Sequence, residues 1–170
     1  MATLQDIPTG AIRYNTDSNK MECFNGTKWW EISVSSPDLN GGARGLFQGG
    51  GTSGVEGNTI DYITISTQGN AVDFGDTTDT QYEGGATSSR TRGVIALGYG
   101  NPATVDVIEY VTMSSTGDAV DFGNLTSSKR VTCAFSNGTR GIFAGGYPHQ
   151  NNIDYVTIAS TGNAQDFGDT

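Results

Sequence analysis

The chain has 170 residues, enough for about one domain with a core of its own. Glycine is abundant, at 25 residues, and charged residues make up only 16%, which is typical of a turn-rich all-β protein rather than a helical one. The net charge of −9 would repel phosphate backbones and argues against nucleic acid as a partner, and no apolar run is long enough to predict insertion into a membrane.

The first 40 residues do not repeat, and we interpret them as a docking or oligomerisation module with its linker. The start, MATLQDIPTG, lacks a basic region and an apolar stretch, so we expect no signal peptide and synthesis in the cytoplasm. The segment GAIRYNTDSNKMECFNGTKWWEISV predicts a three-stranded β-meander with turns at 15–20 and 25–27. Trp29 and Trp30 are adjacent, so they should point to opposite faces and are candidate docking aromatics.

Residues 41–170 contain a repeat with a period of 48 residues. An Arg-Gly pair opens each unit, and three further columns are occupied by the same tyrosine, aspartate and phenylalanine in all units. These columns are Arg44, Arg92 and Arg140; Tyr62, Tyr110 and Tyr155; Asp73, Asp121 and Asp166; and Phe74, Phe122 and Phe167. A residue that recurs with its packing unit is structural, since a catalytic residue is needed once per site. We expect the aspartates to cap turns or to pair with the arginines.

Each unit is predicted to contain four short strands. They are an apolar run such as RGLFQGG, an alternating run such as IDYITIS, a strand through AVDFG after a Gly-Asn or Gly-Asp turn, and a fourth strand within QYEGGATSS or VTCAFSN. Four-stranded units at this period resemble the blades of a kelch-type β-propeller, with repeats at 41–89, 90–137 and an incomplete one at 138–170. A β-prism-like arrangement or an oligomeric ring is the alternative.

The third unit stops at STGNAQDFGDT, after its third strand, which predicts an open strand edge after Asp166–Gly168. Three blades, the last of them incomplete, are too few to close a ring. If the chain is whole, we therefore expect a homo-oligomer, a dimer or a trimer. The other interpretation is that the chain is part of a longer propeller.

The segment PTGAIRYNTDSNKMECFNGTKWWE resembles the N-terminal module of many tailed-phage virion proteins. Followed by RGLFQGG, IDYITIS and GNAVDFGD units, it makes nearly the whole chain similar to virion structural proteins of phages that infect marine cyanobacteria. This resemblance implies a location in the virion as a fibre, an appendage or a decoration of capsid, neck or tail, in contact with other virion proteins. It carries over no catalytic residue.

The variable loops between the first two strands of each unit are candidate partner-binding sites. In repeat proteins such loops gather on one face, where exposed aromatic residues often bind sugars or proteins. The candidate loop residues are Tyr99, Asn101, Pro102, Tyr147, Pro148 and His149. The alternative function is therefore that of an adhesin that recognises a carbohydrate or protein of the host surface.

Catalytic motifs are weak in this sequence, and we predict neither an enzyme nor a cofactor. Asp-Phe-Gly occurs three times without the other kinase motifs, and the one histidine, His149, lacks a partner to orient it. Asp79, Glu83 and Asp106 form no recognisable glycosidase pair, and NTDSNK lacks the glycine and closing glutamate of a calcium loop. Cys23 and Cys133 lie in unrelated segments and are expected to be free thiols.

Overall fold

The computed structural model describes residues 7–32, 43–52, 55–100, 102–130 and 133–170, and it is all-β. Strands make up 57% of it, in several small antiparallel sheets, and these residues contain no α-helix, hence none that could cross a membrane. The chain divides into two compact units, Met1–Pro37 and Asp38–Thr170.

The first unit contains the predicted meander. Its strands β1 (Ile12–Asn15), β2 (Lys20–Phe24) and β3 (Trp29–Glu31) pair antiparallel in the order β1-β2-β3. The second turn is held by Asn25, whose Oδ1 accepts hydrogen bonds from the backbone N–H groups of Thr27 and Lys28 at 3.0 and 2.9 Å. This side chain replaces backbone partners in the turn, which is why asparagine suits the position.

The second unit contains three principal sheets and a small hairpin. The first sheet has β4 (Arg44–Gln48), β5 (Gly51–Thr52), β6 (Val55–Thr64) and β7 (Val72–Gln81), with β4, β5 and β7 all paired to β6. The second sheet has the order β8-β9-β12-β13, from β8 (Gly85–Ser88), β9 (Arg92–Ala96), β12 (Val107–Thr112) and β13 (Val120–Asn124). Between β9 and β12, β10 (Tyr99–Gly100) and β11 (Ala103–Thr104) form the hairpin. The third sheet has the order β14-β15-β16-β17, from β14 (Cys133–Ser136), β15 (Arg140–Ala144), β16 (Asn152–Thr157) and β17 (Gln165–Asp169).

The sheets are offset from the sequence repeats by one strand. The predicted fourth strand of one unit, β8 or β14, pairs with the first strand of the next unit, β9 or β15. A tight turn, in which Ser89 N–H donates to Arg92 O, makes this local pairing the nearest one available to β8. The sheet that holds the third repeat therefore has four strands, although the sequence predicts that repeat to be incomplete.

In the first sheet, the described residues include no strand that corresponds to β8. Among the described residues β4 pairs only with β6, and the segment one period before β8, residues 37–40, lies outside them. At the other end, β17 is an edge strand paired with β16, as β13 is in its own complete sheet. The predicted edge at Asp166–Gly168 is present, but it does not arise from a strand missing in the third sheet.

The repeated Asp-Phe-Gly element forms a β-bulge. In the second sheet Ile108 pairs with Gly123 and Glu109 with Asp121, so Phe122 is the extra residue. The first and third sheets show the same register shift. The extra phenylalanine packs edge-on against the repeated tyrosine of its own sheet at 5.9 to 6.0 Å between ring centroids. A bulge bends a strand and re-aims one side chain, which explains why these residues recur together.

Two apolar layers join the sheets face to face. The layer between the first and second sheets contains Ile60, Phe74, Ile95, Leu97, Val111 and Ala119. The layer between the second and third contains Val94, Ala96, Ile108, Phe122, Leu125, Phe143, Val156 and Ile158. Both faces of β12 are buried, as expected of a strand with apolar side chains on both faces.

A set of hydrogen bonds, here called the inter-sheet joint, occurs twice along the outer strands. Gly117 N–H donates to Phe74 O at 2.7 Å, and Ala119 N–H donates to Asp76 O at 2.8 Å. The second joint repeats both bonds with the same lengths, from Gly162 to Phe122 and from Ala164 to Asn124. The hairpin turn of one sheet thus docks on the bulge of the sheet before it.

The bulge glycine is required by this close approach. A Cβ on Gly75 would lie 2.5 Å from the carbonyl of Gly117, and a Cβ on Gly123 would lie 2.5 Å from Gly162 O. Both contacts are with backbone atoms, which cannot move aside cheaply. Packing between sheets therefore explains the glycine of Asp-Phe-Gly.

Candidate binding surface

Four aromatic rings and one arginine form a continuous surface, here called the Arg130 row, made of Tyr82, Tyr99, Arg130, Tyr147 and His149. The rings of Tyr82 and Tyr99 are 4.8 Å apart. The guanidinium of Arg130 lies 4.5 Å from the Tyr99 ring centre and 5.0 Å from that of Tyr147. His149 continues the row, 6.5 Å from Tyr147.

Backbone pairing between consecutive repeats positions this row. Tyr82, directly after β7, exchanges two backbone hydrogen bonds with Tyr99, of 3.1 and 3.0 Å. Arg130, one period later, exchanges two with Tyr147, of 3.0 and 3.2 Å. The segments that follow β7 and β13 therefore each cross to a loop of the next sheet. Because this happens twice, the two loops lie side by side.

The polar groups of the row are partly unsatisfied. Arg130 Nη1 forms an ion pair with Glu83 Oε2 at 2.7 Å, while its buried Nε has no partner among the described residues. Tyr99 Oη donates to Pro102 O at 3.2 Å, which holds the hairpin loop against the row. A planar cation between aromatic faces suits ligands with one flat apolar face and polar edges.

The structure brings most of the predicted loop residues together. Tyr99, Tyr147 and His149 join one surface, with Pro102 and Pro148 exposed in the same loops. Asn101 lies outside the described residues.

Neither Tyr82 nor Arg130 was among the predicted binding residues, and Glu83 was considered only as a possible catalytic acid. Tyr82 and Arg130 occupy the same column of the repeat, 48 residues apart. They differ in residue type, so a search for identical columns does not select them. Comparing chemically different residues within one column would have found them.

The two tryptophans do point to different environments within the meander. Trp29 is half-buried, packs against Phe24 at 5.3 Å and carries Arg13 over its ring at 4.2 Å. Trp30 is 55% exposed, with Lys28 Nζ 4.4 Å from its ring centre. Trp30 is therefore the one of the pair available to a partner, and what it contacts stays a prediction.

The repeated arginines do not pair with the repeated aspartates among the described residues. Each guanidinium lies over the tyrosine of its own sheet, 4.4 to 4.8 Å from the ring centre, in the pairs Arg44–Tyr62, Arg92–Tyr110 and Arg140–Tyr155. Two of them also reach the next sheet, because Arg44 Nη1 donates to Met113 O at 2.7 Å and Arg92 Nη1 donates to Ile158 O at 3.1 Å.

The aspartates Asp73, Asp121 and Asp166 are exposed, so the expectation of an Asp–Arg ion pair was wrong. The turn-capping alternative is observed at one of them, where Asp166 Oδ1 accepts a hydrogen bond from Gly168 N–H at 3.0 Å. An exposed carboxylate gains little from an ion pair, and in two of the three units a neutral carbonyl on the next sheet accepts the hydrogen bond of the guanidinium.

The geometry gives little support to metal-binding, thiol or glycosidase chemistry. The described residues contain no group of three or more metal-binding side chains, and Cys23 and Cys133 are both free. Glu83, one of the three acids considered for glycoside hydrolysis, is engaged by Arg130. No protein-family model matches the chain, and no curated protein matches it at a significant level.

Proposed function

We propose that this chain is a structural component of a tailed-phage particle, a fibre, appendage or decoration. In this proposal its sheets are kelch-like propeller blades, and its N-terminal meander docks on another virion protein. The observation that carries the proposal is the inter-sheet joint, which repeats with identical bond lengths and joins the sheets into one scaffold. Radial repetition of small antiparallel sheets is the construction of propellers. The proposed location in a virion rests on the sequence resemblance.

The exposed Trp30 supports a docking role for the meander. A large aromatic ring, held by Lys28 on a short sheet, is the kind of side chain that anchors protein interfaces. The acidic surface, with a net charge of −9, favours solubility on the outside of a particle rather than contact with packaged nucleic acid.

Labelling of particles tests the proposal. Antibodies raised against the purified chain should mark intact virions of the phage that encodes it, at a defined position and in a constant copy number. Mass spectrometry of gradient-purified particles should find the chain at that ratio. Detection in infected cells but not in purified particles would reject a virion role.

The Arg130 row favours host-surface binding as a second function. Its stacked rings and forked guanidinium can cover the apolar face of a pyranose and donate to its hydroxyl or carboxylate groups. Tyr147, 57% exposed, is its most accessible tyrosine. We therefore propose that this surface binds a host carbohydrate rather than a ligand that fills a deep pocket.

Binding of the purified chain to host cells or to isolated host polysaccharide tests this second function. Tyr147→Ala should weaken binding at least about tenfold, the loss expected of an interface hot spot. Val120→Ala is the matched control, because Val120 is equally exposed, at 55%, outside the row. Equal binding by both variants would exclude the row as the contact surface.

A further inference from the structure

The two ends of the sheet array carry opposite halves of the inter-sheet joint. On the third sheet Phe167 is 56% exposed, whereas its counterpart Phe122 is 2% exposed because the next sheet covers it. On the first sheet Ile65 is 64% exposed, whereas its counterpart Ile158 is 1% exposed. Phe47, also on the first sheet, is 55% exposed although the equivalent residue is buried in both later sheets.

At both ends, the polar groups that correspond to those of the joint have no joint partner among the described residues. Phe167 O and Asp169 O correspond to the carbonyls that accept hydrogen bonds in the two existing joints. The N–H groups of Gly69 and Ala71 correspond to the donors. None of these four groups has a joint partner among the described residues. One end thus presents two acceptors, and the other presents two donors at the matching spacing.

The repeated arginine shows the same complementarity. Arg140 stacks on Tyr155, as its counterparts stack on their tyrosines, but no carbonyl of a following sheet accepts its hydrogen bond among the described residues. The carbonyl that would correspond to Met113 O and Ile158 O is Ile65 O, on the open face of the first sheet.

Gly168 leaves room for a docking turn. The equivalent Gly123 faces the backbone of Gly162, and a Cβ there would clash at 2.5 Å. A Cβ on Gly168 would meet nothing within 4 Å, although its φ of +138° matches that of Gly123 at +145°. The same bulge is therefore formed on the third sheet with no neighbour to contact.

We propose that the third sheet of one copy docks on the first sheet of a second copy through this joint, and that two copies close a ring of six sheets. We assign a second copy as the partner because the chain carries both sides of the joint, the acceptors on the third sheet and the donors on the first. Each side already forms the same hydrogen bonds between neighbouring sheets within the chain. Six is the only multiple of three within the usual range of about four to eight blades. Closure by a two-fold axis covers both ends, whereas an open arrangement would grow into fibres. This proposal does not depend on a virion role.

Sedimentation equilibrium of the purified chain tests the proposal. The wild-type chain should have twice its mass of 17.8 kDa at micromolar concentration. Ile65→Glu and Phe167→Glu should each raise the dissociation constant at least about tenfold, because each buries a charge in an apolar contact. Val120→Glu is the control, since Val120 is 55% exposed although its sheet has neighbours on both sides. Circular dichroism should show all three variants folded.

Mixing the two variants identifies the head-to-tail pairing. In a ring of two identical copies, each substitution occurs once in each of the two joints and disrupts both. Together, the intact third sheet of Ile65→Glu can meet the intact first sheet of Phe167→Glu, so one joint is restored and heterodimers should form. A monomeric wild-type chain, association unchanged in the Ile65→Glu or Phe167→Glu variant, a trimer or filament, or failure of the mixture to associate would each overturn the proposal.

Discussion

The glycine of each Asp-Phe-Gly element illustrates what a single residue contributes to this molecule. Sequence repetition identifies it as structural, but only the structure shows that the constraint comes from the neighbouring sheet. Gly75 and Gly123 each face a backbone carbonyl of the following hairpin turn at a distance that excludes a Cβ. Such long-range contacts leave no local signal beyond the recurrence itself.

Gly123→Ala should lower the free energy of unfolding by about 1–3 kcal/mol more than Gly162→Ala. Both positions have φ near +150°, so both substitutions share the strain of a left-handed backbone. Only Gly123 adds a clash, since a Cβ on Gly162 meets nothing within 4 Å. Urea unfolding followed by circular dichroism measures the difference, and equal losses would show that the strain alone matters.

Glu22 makes the N-terminal meander sensitive to acid. The hydrogen bond from Asn15, and then that from Arg13, hold the pKa of this carboxyl below its ordinary value of 4.5. A lowered folded-state pKa contributes stability above the unfolded value, and that stability is lost as pH falls through the folded value. The meander should therefore be destabilised progressively below about pH 4.5.

Tryptophan fluorescence isolates this effect, because both tryptophans of the chain lie in the meander. Glu22→Gln should flatten the pH dependence of the meander's unfolding in this range, since glutamine does not titrate. Glu31→Gln is the control, because the ion-pair partner of Glu31 among the described residues is an exposed lysine, Lys20. A wild-type pH profile in the Glu22→Gln variant would contradict the assignment.

At the scale of elements, periodicity and turn chemistry predicted the strands well. Apolar runs, alternating runs and Gly-Asn or Gly-Asp turns locate β4, β9, β12 and β15 close to their observed positions. The grouping of strands into sheets could not be predicted, because a repeat has no natural starting point. The same sequence is equally periodic whether β8 is counted with the strands before it or after it. Only the observed pairing of β8 with β9 shows to which sheet it belongs.

A buried ion pair ties the segment between β13 and β14 to β16. Lys129 Nζ lies 2.9 Å from Asp154 Oδ2, and both side chains are fully buried. Thr126 and Asn152 also donate hydrogen bonds to the Asp154 carboxylate. Removal of one charge leaves the other buried without a counterion, which is far more costly than removal of both.

Asp154→Asn should therefore cost about 3–5 kcal/mol of unfolding free energy, because Lys129 is left buried without a counterion. Adding Lys129→Met to the same chain should recover more than half of that loss. Thermal and urea unfolding of the two variants measure it. If the double variant is no more stable than the single one, hydrogen bonding rather than charge balance accounts for the cost.

At the scale of the whole molecule, stability depends on contacts between sheets that are far apart in sequence. Arg92 is the clearest case, since it stacks on Tyr110 within its sheet and donates to Ile158 O in the next. Arg140 has the first contact without the second among the described residues. The pair thus separates the contribution within a sheet from that between sheets.

Arg92→Ala should be more destabilising than Arg140→Ala by about 1.5–3 kcal/mol, the range for a hydrogen bond from a charged donor. The comparison belongs at a concentration at which sedimentation shows the chain to be monomeric, so that Arg140 has no partner from a second copy. Unfolding free energies of both variants provide the measurement. Equal losses would place the whole effect in the stacking on tyrosine.

Only part of the candidate binding surface could be predicted from the sequence, and the reason is physical. Exposed aromatic residues in variable loops are visible in the sequence, and Tyr99 and Tyr147 were found that way. Arg130 was not, because its position between the two rings depends on backbone pairing across a sheet boundary. A residue whose role comes from the meeting of two loops gives no signal within either of them.

The one-strand offset has a genetic consequence. Unequal recombination between repeats removes or adds one period, and the joined strands remain equivalent wherever the crossover falls. A deletion from Arg92 to the residue before Arg140, for example, places β8 directly before β15, and β8 can pair there as β14 does. The number of sheets can therefore change in a single event while every strand keeps its neighbour, so arrays of different length are accessible without passing through a broken sheet.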